Sequence, residues 1–158
     1  MEIILAENHG FCYGVKRAVE MANEAANGAG KSYTLGPIIH NPQVVGRLES
    51  KGVKPIDEVS DIDSGTMIIR SHGVGPAIYE EAENKGLNIV DATCPHVKKA
   101  QQDAKSVIED GMTLVILGEK NHPEVKSINL WANNEGIIIE DEESAQKLQI
   151  VEKMGVVV

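Results

Sequence analysis

Four times along this chain an apolar run closes into a short loop that carries a histidine or cysteine and then a proline. The four are Leu35-Gly36-Pro37-Ile38-Ile39-His40-Asn41-Pro42, Arg70-Ser71-His72-Gly73-Val74-Gly75-Pro76, Asp91-Ala92-Thr93-Cys94-Pro95 and Gly118-Glu119-Lys120-Asn121-His122-Pro123. Proline is favoured at the first position of a helix, where its missing N–H is not needed. Pro42, Pro76, Pro95 and Pro123 therefore predict four helix starts, each with its reactive side chain at or just before the N-terminus. Cys12 has the same placement, ahead of a helix expected to begin near Tyr13.

The runs before and between these loops read as buried strands, apolar on both faces as parallel strands are. Seven are expected: Ile3-Ile4-Leu5, Tyr33-Thr34-Leu35, Met67-Ile68-Ile69, Asn88-Ile89-Val90, Thr113-Leu114-Val115-Ile116-Leu117, Ile137-Ile138-Ile139 and Val156-Val157-Val158. Val15, Ala18, Val19, Ala22 and Ala26 recur at helical spacing, as do Val97, Ala100, Ala104, Val107 and Ile108. Each helix thus offers one apolar stripe to a sheet. Strands alternating with helices predict an α/β fold with helices packed on parallel sheets. The cluster Asn27-Gly28-Ala29-Gly30-Lys31 is expected to end the first helix through left-handed glycine, and Lys54-Pro55 reads as a break.

In open α/β sheets ligands bind beyond the carboxyl ends of the strands, where these loops must lie. Helix N-termini there present free N–H groups and about half a positive charge, so an anion is the expected ligand. The composition sets limits on which one. With 15 Lys and Arg against 24 Asp and Glu the net charge is −9, opposite to a nucleic-acid binder or a protein held on an anionic membrane. Aromatic residues make up 3%, too few for a base-stacking platform. No apolar run approaches the ~18 residues of a membrane span, and the N-terminus reads as no leader, so a cytoplasmic protein is expected. There is no P-loop, and Gly73-Val74-Gly75 is too short for a dinucleotide fingerprint.

Each candidate has a plainer reading beside the chemical one. Cys12 and Cys94, 82 positions apart, fit neither a disulfide framework nor a zinc-ribbon spacing. Buried cysteine is a common small core residue, but loop positions at helix starts favour a thiolate ligand. His40, His72 and His122 could each be a capping or surface histidine, whereas three at repeated positions suggest one shared ligand. The unperturbed histidine value of ~6.5 then predicts that anion binding weakens as pH rises past that range. Glu124 suits a first turn through the helix dipole alone, and beside an anion pocket it could also carry a proton. His96 reads as a first-turn residue, and Glu140-Asp141-Glu142-Glu143 as a solvated loop and helix start.

Taken in order, Gly10-Phe11-Cys12-Tyr13-Gly14-Val15, Gly36-Pro37-Ile38-Ile39-His40-Asn41, Arg70-Ser71-His72-Gly73, Asp91-Ala92-Thr93-Cys94-Pro95 and His122-Pro123-Glu124 resemble the 4-hydroxy-3-methylbut-2-enyl diphosphate reductase family. The resemblance implies an iron–sulfur oxidoreductase of the non-mevalonate isoprenoid route, which reductively removes a hydroxyl to give isopentenyl and dimethylallyl diphosphates. It implies Cys12 and Cys94 as two of three thiolate ligands of a [4Fe-4S] cluster. His40, His72 and His122 would hold the diphosphate or lie near the substrate hydroxyl, and Glu124 would belong to the proton path. An external electron donor such as ferredoxin or flavodoxin is implied, with no nucleic acid and no membrane.

The family fold implied is a trefoil of small parallel-sheet units, of which this chain would carry the first two. Residues 1–12 would be a strand and loop bearing Cys12 and pairing with a third unit, 13–94 the first α/β unit, and 95–158 an incomplete second one. The third cysteine ligand would lie in a C-terminal segment beyond residue 158. Two other readings of the same residues remain: a zinc protein using Cys12, Cys94 and a histidine, and a redox-inert phosphate-binding α/β module.

Overall fold

A computed structural model describes residues 2–7, 9–28, 30–149 and 151–158. Met1 and Asn8 of the expected N-terminal strand and loop, and Ala29 of the glycine-rich turn, lie outside the described residues. The elements run α1 (Tyr13–Ala26), β1 (Ser32–Leu35), α2 (Pro42–Glu49), β2 (Val53–Ile56), a 3-10 turn (Val59–Asp61), β3 (Thr66–Ile69), α3 (Pro76–Asn84), β4 (Asn88–Asp91), α4 (Pro95–Glu109), β5 (Thr113–Leu117), α5 (Pro123–Trp131), β6 (Ile137–Ile139), α6 (Glu142–Gln146) and β7 (Met154–Val157). The strands form two wholly parallel sheets, ordered β2-β1-β3-β4 and β6-β5-β7. The fold is α/β, as the alternation requires.

All four prolines occupy the first turn of a helix, behind the N-caps Asn41, Gly75, Cys94 and His122, and Cys12 caps α1. β3 shows why its residues are apolar throughout. Ile68 packs with Ala18, Ala22, Val44 and Leu48 under α1 and α2, while Met67 and Ile69 pack with Val74, Ala82 and Leu87 under α3. Both faces of the first sheet are covered, so neither can be polar. On the second sheet Leu114, Ile116 and Val157 meet Ala104, Val125 and Ile128 of α4 and α5. The two sheets repeat one plan: a central strand (β1, β5) preceded by a cysteine-capped helix and followed by a loop carrying a histidine.

Two expectations need correction. Ile3, Ile4 and Leu5 form no strand and are 74, 83 and 77% exposed. A strand exists through its pairing partner, and among the described residues no strand stands beside this segment, so its apolar character alone cannot order it. Lys54-Pro55 is no break but the middle of β2, paired in parallel with Tyr33 and Thr34. Proline is tolerated there because β2 is an edge strand. The α1 terminus also differs in detail. Its C-cap Asn27 is right-handed and the Gly28 N–H closes a short turn on Ala25 O, so the left-handed glycine is Gly30, further on.

Candidate functional site

The loops after β1, β3 and β5 all leave the carboxyl ends of their strands, and they bring His40, His72 and His122 together. One ring nitrogen from each lies within 4.8 Å of the others. The His40 and His72 ring centroids are 4.8 Å apart and those of His72 and His122 are 5.6 Å apart. His40 is exposed and the other two are half-buried. Asn41 fixes the His40 loop by accepting the Val44 N–H at 3.0 Å as the α2 cap. His122 itself caps α5, its Nδ1 accepting the Glu124 N–H at 3.3 Å. That bond assigns the ring proton to Nε2, so the free edge of His122 is a donor, suited to an anion.

His72 is the most perturbed of the three. Burial, then the charges of Arg70, His40 and His122, bring its pKa down to about 4. Its Nδ1 is buried without a hydrogen-bond partner. The imidazole is therefore neutral at ordinary pH, and a bound anion would favour its protonated form.

The thiols stand beside this cluster and are not members of it. Cys94 N donates to Ser71 O at 2.9 Å, so the α4 cap is tied to the residue next to His72. Both cysteines are free, Cys12 exposed and Cys94 half-buried, and neither side chain caps its own helix. Gly14, in the first turn of α1, leaves a cradle for Cys94: a Cβ there would stand 2.5 Å from Cys94 Sγ. The two cysteine-capped helix starts thus meet. Arg17 of α1 adds a 3.1 Å hydrogen bond from Nη1 to Thr93 O, fixing the turn before Cys94. Two uncommitted thiols at adjoining helix starts fit a thiolate-ligated metal group.

Several further residues build the site, some of which, such as Tyr79, Gln101, Ser127 and Trp131, belonged to no sequence motif. Asp91 accepts the Thr93 N–H at 2.9 Å, the Tyr79 hydroxyl at 2.9 Å and Lys98 Nζ at 2.6 Å. Burial pushes its carboxyl up, but the bonds from Lys98, Thr93 and Tyr79 outweigh this and hold it below the usual carboxylate range. Ser127 and Gln101, both buried, join α5 and α4 to the His72 loop, and Trp131 Nε1 donates to Val74 O at 2.8 Å. Glu124 lies half-buried in the first turn of α5, where its backbone is engaged, and its carboxylate is not part of the histidine cluster.

A family model described as LytB protein matches residues 3–158. The chain belongs to the LytB protein family. Among relatives of this LytB chain, the 4-hydroxy-3-methylbut-2-enyl diphosphate reductase of Geotalea uraniireducens is 52% identical over 157 residues, covering 99% of this chain and 56% of that protein. The protein of the same name from Geobacter metallireducens is 51% identical with the same coverage. A solved (E)-4-hydroxy-3-methyl-but-2-enyl diphosphate reductase, the terminal enzyme of the non-mevalonate pathway, superposes with a TM-score of 0.84 at 44% identity, over 98% of this chain and 56% of that one. The Plasmodium falciparum E-1-hydroxy-2-methyl-but-2-enyl-4-diphosphate reductase gives 0.88 at 31% identity, over 95% and 48%. The LytB chain spans about half the length of these relatives. No helix among its described residues is long and apolar enough to cross a membrane.

Proposed function

We propose that this LytB chain supplies the diphosphate-holding histidines and two of the thiolates of a 4-hydroxy-3-methylbut-2-enyl diphosphate reductase. The observation that carries the reading is the convergence of His40, His72 and His122 from both sheets onto one point, with Cys94 tied to the neighbouring residue. The substrate diphosphate accepts N–H bonds from the imidazoles, and His122 Nε2 is already set as a donor by its α5 cap. The three imidazoles cluster without either thiol, which weighs against a single zinc centre of Cys12, Cys94 and a histidine.

Cys12 and Cys94 would hold two irons of a [4Fe-4S] cluster, and a third thiolate would come from sequence outside residues 1–158. Such a cluster supplies electrons and a Lewis-acidic iron for the allylic hydroxyl. Overall, an electron pair and two protons would convert the allylic alcohol into an alkene and water, the C–O bond giving way to a C–H bond. Glu124 delivers a proton toward the departing hydroxyl. Electrons come from an external one-electron carrier of the ferredoxin or flavodoxin kind. The division at Cys94 into a first unit (13–94) and a second (95–158) is part of the same reading.

The test is to extend residues 1–158 with the C-terminal segment of the Geotalea uraniireducens relative and purify the product without oxygen. Iron and sulfide in near-equal amounts, with turnover of the allylic diphosphate under a chemical reductant, are expected. Loss of iron in Cys12→Ser or Cys94→Ser should follow. Zinc without sulfide would overturn the reading in favour of a zinc protein, and pyrophosphate binding with no metal would favour a redox-inert module.

A further inference from the structure

Arg70 follows directly on the last residue of β3, and its charge is left unanswered. Its Nε is buried with no hydrogen-bond partner, and among the described residues no carboxylate lies within ion-pair distance of its guanidinium. Burial pulls its pKa down from the ordinary arginine value, with no neighbouring acid to raise it. A guanidinium does not discharge at ordinary pH, so its desolvation is a standing cost in search of an anion. This occurs in a chain of net charge −9, where acidic partners are plentiful.

The guanidinium borders an open cleft of about 400 Å³. Gly36, Gly73 and Asn121 line it, and Lys126 of α5 brings a second cation. These residues come from the same three loops that carry the histidines, yet none of the three imidazoles lines the cleft. Gly36 gives the guanidinium its room: a Cβ there would stand 2.8 Å from Arg70 Nη1. One acid, the exposed Asp57, shares the lining. Two cations against one solvated carboxylate leave the cleft positive.

We infer that this cleft is a second oxyanion subsite, separate from the imidazole cluster, in which the Arg70 guanidinium and the Lys126 ammonium take a phosphate-class anion. Arg70 is the anchor, because its planar fork matches a phosphate edge and its desolvation is already in place, while Lys126 on the exposed wall adds charge. The inference does not depend on the reductase reading, since it rests on residues that the imidazole site does not use.

The experiment is a calorimetric titration of inorganic phosphate into the 158-residue chain carrying His40→Asn, His72→Gln and His122→Gln, which removes the imidazole cluster as an anion site. One phosphate should still bind. Adding Arg70→Gln and Lys126→Gln should weaken it by about tenfold or more, the scale of losing a charged hydrogen bond. Arg70→Lys, which keeps the charge but not the planar fork, should lose less affinity than Arg70→Gln. Lys126→Gln alone, on an exposed wall, should weaken binding without changing the far-ultraviolet spectrum. Loss of all phosphate binding in the histidine variant, or indifference of the remaining binding to Arg70→Gln and Lys126→Gln, would each overturn the inference.

Discussion

The Ser127 hydroxyl lies 2.7 Å from the backbone oxygen of His72, across 55 residues of sequence and between the two sheets. The same hydroxyl is 3.0 Å from Glu124 O and accepts from Gln101 Nε2 at 3.2 Å. One buried oxygen thereby registers the His72 loop against the helix that carries His122 and Glu124. Ser127→Ala would leave His72 O and Gln101 Nε2 without this partner, at a cost of roughly 1–3 kcal/mol in urea unfolding. Pyrophosphate affinity should fall with it. A loss of stability with unchanged affinity would confine Ser127 to a structural role.

The depressed His72 pKa makes stability depend on pH with a definite sign. An unfolded histidine takes its proton near ~6.5, and folded His72 only near 4 because of burial and then Arg70, His40 and His122. Between these values the unfolded state holds more protons, so His72 contributes full stability above ~6.5 and loses it as pH falls toward 4. Urea midpoints should drop across that window in the wild type and drop less in His72→Gln.

Anion binding follows from the same group. Bound pyrophosphate favours the imidazolium and raises the His72 pKa above its free value of about 4. Binding then takes up protons, and the His72 part of the affinity grows as pH falls through the raised value. Calorimetry in two buffers of different ionisation heat measures this uptake. Net proton release on binding would contradict it.

Gly14→Ala tests the meeting of the two helix starts. Its Cβ would stand 2.5 Å from Cys94 Sγ and 3.1 Å from Cys94 Cβ, so α1 or the thiol must move. The expected cost is about 1–3 kcal/mol, that of overpacking a filled site. In the extended chain, iron content should fall and the Cys94 thiol should react faster with a disulfide reagent. Unchanged iron would show that the cradle plays no part in metal binding.

Glu124→Gln keeps shape and hydrogen bonding while removing the acid. If Glu124 feeds the proton path, turnover of the extended enzyme should fall by ~10²–10⁴ with its iron content unchanged. Near-normal turnover would leave Glu124 with its favourable place in the first turn of α5 and nothing more.

Much of the architecture was legible because it is written locally. Proline at four helix starts and cysteine or histidine beside it need no knowledge of distant neighbours, and the structure has each of them where the repeat puts it. What escaped depends on partners far along the chain. Pro55 hides β2, since only its edge position makes proline acceptable. Ile3, Ile4 and Leu5 look like a strand until pairing is asked for. Gln101 did leave a trace: it is a polar residue on the buried stripe formed by Val97 and Ala104, and such an intrusion asks for a buried partner. Ser127 and the unpaired charge of Arg70 left no such trace, because their meaning lies in what the opposite sheet brings to them.

The edge strand β2 carries a further consequence. Its middle residues, Lys54 and Pro55, are exposed, and one presents a charge while the other has no N–H to offer a newcomer. On that flank the first sheet presents a poor template for an additional strand. A newly made chain crowded among copies of itself therefore has a sheet that resists zipping onto its neighbours at β2, and the same proline that obscures the strand in the sequence protects the folded molecule from fibre-like growth.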